Sequence, residues 1–277
     1  MRRLAKVFSS LRARGEGGLI AYVTAGDPDP SLTPEIVGAL IDGGADVIEL
    51  GIPFSDPIAD GSAIQAAVAR ALKAGMTPRK IFTMIEKVRE GSETPIVVLT
   101  YYNPVFRMGV KRFFESMQAC GADGVIVPDL SIEEAYEYKR IAEDYEIDTI
   151  FLAAPSTSTE RLKRILGYTS GFLYLVSVFG VTGARAEVRD LTVNLIKGTL
   201  KTIQGKVPLA VGFGISKPEH VAKVLESGAD AAIVGSALVK IVEEKRREIE
   251  DLIETLRIYT RSLKNSTKPL KLNSSRR

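Results

Sequence analysis

Three carboxylates and two prolines fall within thirteen residues, ELGIPFSDPIADG at 49–61, directly after an apolar run. Glu49 stands inside that run, VIELGIP, where an ion is poorly solvated. Burial there raises a carboxyl pKa towards working pH, which suits a general acid–base. Asp60 follows in a proline-braced loop. One carboxyl group held partly protonated and a second kept ionised make an acid/base pair with divided roles. Plainer roles exist for both: Glu49 paired with a neighbouring cation, and Asp60 capping the helical stretch SAIQAAVARALKAG.

A second set of chemical signals lies in glycine-rich tips late in the chain: GVTGAR (180–185), GFGIS (212–216) and GSA (235–237). Backbone N–H groups at such tips, where helices begin, bind a phosphate dianion without a lysine. Ordinary turns also use glycine, and each motif alone is weak; together, at the last three tips, they favour phosphate. Absences narrow the chemistry. The only histidine, His220, lies in a helical stretch, so a His-ligated zinc is not expected. No lysine sits in an apolar run or at its tip, which argues against a Schiff-base aldolase. What remains is carboxylate acid–base chemistry on a phosphorylated small molecule, with no metal and no cofactor in this chain.

Elements able to position these groups recur along the chain. Apolar, β-branched runs occupy 19–24, 46–51, 95–102, 124–129, 148–155, 172–178, 207–214 and 231–236, each read as a parallel strand buried on both faces. Helical spacing fills the intervals, and three runs follow a Gly-Ala-Asp corner. Eight such repeats predict an α/β fold, a (β/α)8 TIM barrel in a single domain over 1–265. An open doubly wound sheet is the alternative, weakened by the lack of G-x-G-x-x-G after the first run. RLAKVFSSLRARG reads as an extra N-terminal helix closing the barrel bottom, 236–265 as one last helix, and 266–277 as a basic disordered tail. A barrel does its chemistry at the C-terminal ends of its strands, where Glu49, Tyr101, Tyr102, Asn103, Asp129, Tyr174 and the glycine tips all fall.

Bulk properties set limits. The 277 residues, 45% hydrophobic, can bury a large core. Seven basic and no acidic residues follow Glu254, leaving 30 basic against 34 acidic before them, a net of −4. The body therefore carries no nucleic-acid footprint. No run approaches the roughly 18 apolar residues of a membrane span. A single cysteine, Cys120, suits a reducing, cytoplasmic location.

AYVTAGDPDP, ELGIPFSDPIADGSAIQAA, YYNPVF, GVIVPDL, YLVSVFGVTGAR, VGFGIS and IVGSALVK, in this order from Tyr22 to Lys240, resemble the tryptophan synthase α-subunit family. The resemblance implies reversible retro-aldol cleavage of indole-3-glycerol phosphate to indole and D-glyceraldehyde 3-phosphate. It makes Glu49 the acid–base catalyst and Asp60 the carboxylate on the indole N–H. Tyr174 would lie near the glycerol moiety, Tyr22 and Ile233 in the pocket wall, and Thr182 at the hinge of a mobile loop. Gly183, Gly214, Gly235 and Ser236 would bind the phosphate, with Gly212 and Phe213 among the substrate-binding residues. It also implies a β-subunit partner carrying pyridoxal phosphate, in an α2β2 assembly, met by Pro53, Asp56, Pro57, Asn103 and Pro104. Two departures stand out: Val178-Phe179 where many relatives have Arg, and the basic tail. Indole-glycerol-phosphate synthase, a neighbouring barrel enzyme, would need a strand-tip lysine. A silent subunit that only activates a β partner would not need Glu49 and Asp60.

Overall fold

The computed structural model of the chain describes residues 1–177, 185–212 and 214–268, with backbone only at 185–190. Nine parallel segments form one sheet: β1 Gly18–Thr24, β2 Val47–Gly51, β3 Ile96–Leu99, β4 Gly124–Ile126, β5 Asp148–Ile150, β6 Leu152–Ala153, β7 Leu173–Val176, β8 Leu209–Gly212 and β9 Ala231–Val234. They run in the order β5-β4-β3-β2-β1-β9-β8-β7-β6. β5 and β6 are the two halves of the single expected strand at 148–155. The lower half bonds to β4 and the upper half to β7, so the ladder closes through this strand into the eight-stranded barrel.

Alternation along each strand sorts the core into two bodies. Ile20, Val47, Val97, Ile126, Ile150, Phe172, Tyr174, Ala210, Ala231 and Ile233 fill the barrel interior. Leu4 and Phe8 of helix Arg3–Arg14 join them, so the extra N-terminal helix plugs the bottom as expected. The intervening residues face outward and pack beneath the helices.

The Gly-Ala-Asp corners have a structural task. Gly44, Gly121 and Gly228 take φ of +97°, +80° and +109°, open to glycine at little cost. The aspartate that follows then accepts a main-chain N–H of the preceding strand: Asp46 from Leu19 at 2.8 Å, Asp123 from Ile96 at 2.8 Å, Asp230 from Leu209 at 2.9 Å. Cations approach these acids: Lys264 on Asp46 at 2.7 Å, Arg89 and Arg3 on Asp123 at 2.5 and 3.2 Å, and Arg12 near Asp230 at 3.8 Å; Arg2 pairs likewise with Asp148 at 2.6 Å.

Two expectations at the C-terminus need correction. The single last helix is two, Ser236–Lys245 and Ile249–Asn265. Between them the chain is almost wholly charged, and a continuous helix would carry the second apolar face (Leu252, Leu256, Leu263) into water. The break folds that face back onto the core. Residue 267, assigned to the expected tail, also belongs to the fold. Thr267 is fully buried, and its carbonyl accepts the Gly17 N–H at 3.1 Å. Residues 269–277 lie outside the described residues.

Candidate active site

Glu49 sits at the centre of β2, in register with Tyr22 of β1 and Val97 of β3. It is 2% exposed, and its Oε2 has no hydrogen-bond partner. No cation within ion-pair distance of Glu49 is found among the described residues, so the paired, structural role does not hold. Burial, and secondarily the charge of Asp60, push its pKa from an ordinary 4.5 to about 8. A carboxyl so placed is protonated at neutral pH yet able to give up its proton.

Asp60 lies in the loop between β2 and helix Ser62–Lys73. It does not cap that helix: Gly61 holds the N-cap position, and only the Asp60 carbonyl takes part, accepting Gln65 Nε2 at 2.9 Å. Its carboxyl is half-buried, which raises its pKa, while the nearby Tyr101 hydroxyl works the other way. The Tyr101 oxygen also accepts the Ala59 N–H at 3.0 Å. Burial and the nearby Asp60 charge push the Tyr101 phenol up to about 12, so it stays a donor.

Two further phenols complete the cavity wall. The Tyr22 hydroxyl pairs with Thr24 Oγ1 at 3.1 Å. Tyr22 and Tyr174 are both buried and their pKa values raised, first by burial and then by the charges of Glu49 and Asp60. Glycine makes room for both rings. A Cβ on Gly51 would lie 2.5 Å from the Tyr22 hydroxyl, and one on Gly212 would lie 2.4 Å from that of Tyr174. Read as phosphate ligands alone, the glycine tips hide this second task of Gly212. The Gly212 carbonyl also accepts the N–H and hydroxyl of Ser177, at 3.0 and 2.7 Å.

At the opposite rim, Gly214 takes a φ of +75°. Gly235 precedes helix Ser236–Lys245, whose N-terminus receives no side-chain cap. Uncapped N–H groups at a helix start are of the kind that can bind an anion. Ile233 lies just below, in the barrel interior. Arg70 bridges the two helices flanking this mouth, binding Asp27 twice at 2.8 Å and Glu243 at 2.9 Å. Val178, Phe179, Thr182, Gly183 and Phe213 lie outside the described residues.

Three of the five expected partner residues lie together. Pro53, Asn103 and Pro104, with Phe54, Arg107 and Met108, line an outward groove of about 530 Å³. Phe106 and Ile58 are 66% and 78% exposed, and Asp56 is exposed while Pro57 is half-buried. Tyr101 is the residue that sequence reasoning underrated. It stood among the strand-tip residues, but its link to Asp60 spans two loops distant in sequence. Among the described residues no helix is long and apolar enough to cross a membrane, and no cluster of three or more His, Cys, Asp or Glu could hold a metal.

Comparison with known proteins gives concordant matches. The family model described as "Tryptophan synthase alpha chain" matches residues 8–268. The tryptophan synthase alpha chain of Methanosarcina barkeri is 49% identical over 96% of this chain and 97% of its own. That of Pyrococcus furiosus is 49% identical over 86% and 95%. Among solved structures, the a2b2 complex from P. furiosus, described as showing the structural basis of mutual activation, superposes with a TM-score of 0.83. It is 48% identical and covers 90% of this chain and 98% of that one. A tryptophan synthase alpha chain from Legionella pneumophila reaches 0.87 at 34% identity, covering 98% and 99%.

Proposed function

Because the chain belongs to the tryptophan synthase alpha chain family, we propose that its barrel mouth performs the family's reaction with Glu49 as acid–base catalyst and Asp60 as the charge-stabilising carboxylate. The protein is a lyase: it reversibly cleaves indole-3-glycerol phosphate to indole and D-glyceraldehyde 3-phosphate, and a β subunit uses the indole to make tryptophan. The observation that carries the residue assignment is the Glu49 carboxyl, sealed in the barrel with an unpartnered oxygen.

The chemistry follows from those positions. Indole is a poor carbon leaving group until C3 is protonated. Protonated Glu49 gives its proton to C3, and positive charge spreads to the ring nitrogen. Asp60 accepts the indole N–H and stabilises that charge. Glu49, now an anion, takes the proton of the side-chain hydroxyl next to the scissile bond. The C3–carbon bond breaks, its electron pair returns to the ring, and the aldehyde departs. Protons balance: one enters at C3, one leaves the hydroxyl, and Glu49 ends as it began. Tyr174 and Tyr22 wall the site and exclude water. The N–H groups around Gly214, Gly235 and Ser236 hold the phosphate, with Gly212 beside them and Ile233 in the pocket wall; Thr182, Gly183 and Phe213, outside the described residues, are assigned to the substrate by the family resemblance alone. No cofactor enters this subunit's reaction; pyridoxal phosphate belongs to the β partner.

The groove at Pro53, Asn103 and Pro104, with Asp56 and Pro57 further along the same loop, is the contact for the β subunit in an α2β2 assembly, and mutual activation of the kind described for the P. furiosus complex is proposed here too. A cytoplasmic location fits a chain whose single cysteine is buried and reduced. The test is release of glyceraldehyde 3-phosphate from indole-3-glycerol phosphate, read by a coupled dehydrogenase, with and without the cognate β subunit. Glu49→Gln should bind substrate yet release no product; near-normal turnover in that variant would sink the assignment.

A further inference from the structure

We propose that Tyr101 is a positioning residue through which the partner groove acts on Asp60; the inference rests on the reaction and the partner contact stated above. The argument is one of attachment. Tyr101 immediately precedes helix Tyr102–Met108, which supplies Asn103, Pro104, Arg107 and Met108 to one wall of the groove. Its ring packs on Phe54 of the other wall, with centroids 5.5 Å apart. Its oxygen accepts the Ala59 N–H at 3.0 Å, one residue before Asp60. Both walls of the groove therefore converge on one side chain, and the polar end of that side chain holds the loop carrying the carboxylate.

The other end of the linkage is fixed. The Tyr102 N–H is bound by Asp129 at 2.8 Å, which ties the start of the groove helix to the tip of β4. Closure of the groove by a partner is thus passed to the Phe54–Asp60 loop through Tyr101. Close packing makes such a contact transmit displacement rather than absorb it. Asp60 has to face the indole N–H to stabilise charge there. The Tyr101 hydroxyl holds the main chain beside Asp60 and favours the carboxylate's anion, so a partner that settles Tyr101 improves the step in which charge develops.

The experiment uses Tyr101→Phe, which keeps the ring on Phe54 and removes the hydroxyl. Turnover of indole-3-glycerol phosphate, KM and the Kd for the cognate β subunit are measured on the full chain, alone and at saturating β subunit. Loss of the Ala59 hydrogen bond, which lets the main chain beside Asp60 shift, should lower kcat of the isolated subunit by about tenfold. KM and Kd should stay within about twofold, and the ratio of kcat with β to kcat without it should fall by at least about threefold, as partial uncoupling requires. A merely structural role would lower kcat equally in both states and leave the ratio unmoved. An activation ratio equal to that of the wild type overturns the proposal, whatever its size. Phe54→Leu keeps the hydroxyl and removes the ring contact; it should depress the ratio in the same direction. Should Tyr101→Phe fail to fold, an unchanged ratio in Phe54→Leu overturns the proposal by itself. A wild-type chain that releases no glyceraldehyde 3-phosphate is a different failure, that of the assigned reaction.

Discussion

Replacing Glu49 by Gln should abolish turnover and, at the same time, stabilise the fold increasingly as pH rises. In the folded chain this carboxyl titrates at about 8 rather than 4.5, because burial disfavours its anion and the charge of Asp60 adds to the effect. Between those two values the folded state holds a proton that the unfolded chain has released, so stability falls as pH rises across the interval. Below pH 4.5 Glu49 costs nothing on this account; above about pH 8 its cost is complete. Taking about 1.36 kcal/mol per pH unit, the full cost is about 5 kcal/mol, an upper limit because water entering the site lowers it. Roughly 4 kcal/mol of that should appear between pH 5 and pH 9. Glutamine fills the same space without a titrating group. Urea unfolding of both proteins at intervals from pH 5 to pH 9 gives the difference in stability directly. Asp27, Asp60 and Asp123, whose pKa values are also raised by burial, contribute slopes that appear in both proteins and largely cancel. The gap in favour of Gln should widen with pH. A gap that stays constant or narrows refutes the reasoning that Glu49 is held protonated by burial.

Three other outcomes are expected. Gly212→Ala puts a methyl group 2.4 Å from the Tyr174 hydroxyl, so the ring must move, and kcat/KM should drop by about tenfold or more. Combined with Tyr174→Ala, the loss should be well below the sum of the two single losses, and strict additivity in that cycle would count against the contact. Lys264→Met strands the Asp46 carboxylate at the barrel bottom; chemical denaturation should show a loss of about 3–5 kcal/mol, and a loss under about 1 kcal/mol would contradict the pairing. The pH profile of kcat/KM should decline above about pH 8, where Glu49 loses the proton it must give to indole C3, and a profile flat to pH 9.5 would show that the step needs no such proton.

Much of the barrel is legible in the sequence because its strands are buried on both faces and read as uninterrupted β-branched runs. Glu49 is legible for the same reason: a charge is conspicuous only against an apolar run. The break at 246–248 is not, since no glycine or proline marks it and only tertiary burial of Leu252 and Leu256 decides it. Contacts between strands are equally hidden. Nothing in the neighbourhood of Gly51 or Gly212 announces that each leaves space for a tyrosine on another strand, so glycine tips invite a phosphate reading alone. Tyr101 illustrates the same limit, because its partners at 54 and 59–60 are set by loop geometry rather than by spacing. The Gly-Ala-Asp corners were visible as turns, but the reach of each aspartate to the preceding strand was not.

The Lys264–Asp46 pair has a consequence in time. The two residues stand 218 positions apart. At a synthesis rate of about 5–20 residues per second, Asp46 exists for roughly 10–45 s before its cation has been made. Its bond to the Leu19 N–H needs only the first two strands and forms as soon as they meet. The early part of the chain can therefore organise during translation, while the stroke that seals the barrel bottom, Lys264 on Asp46 and Thr267 on Gly17, waits for the end of the fold to be made. A chain terminated only a few residues before Lys264 would carry every catalytic group proposed here and still lack its lock.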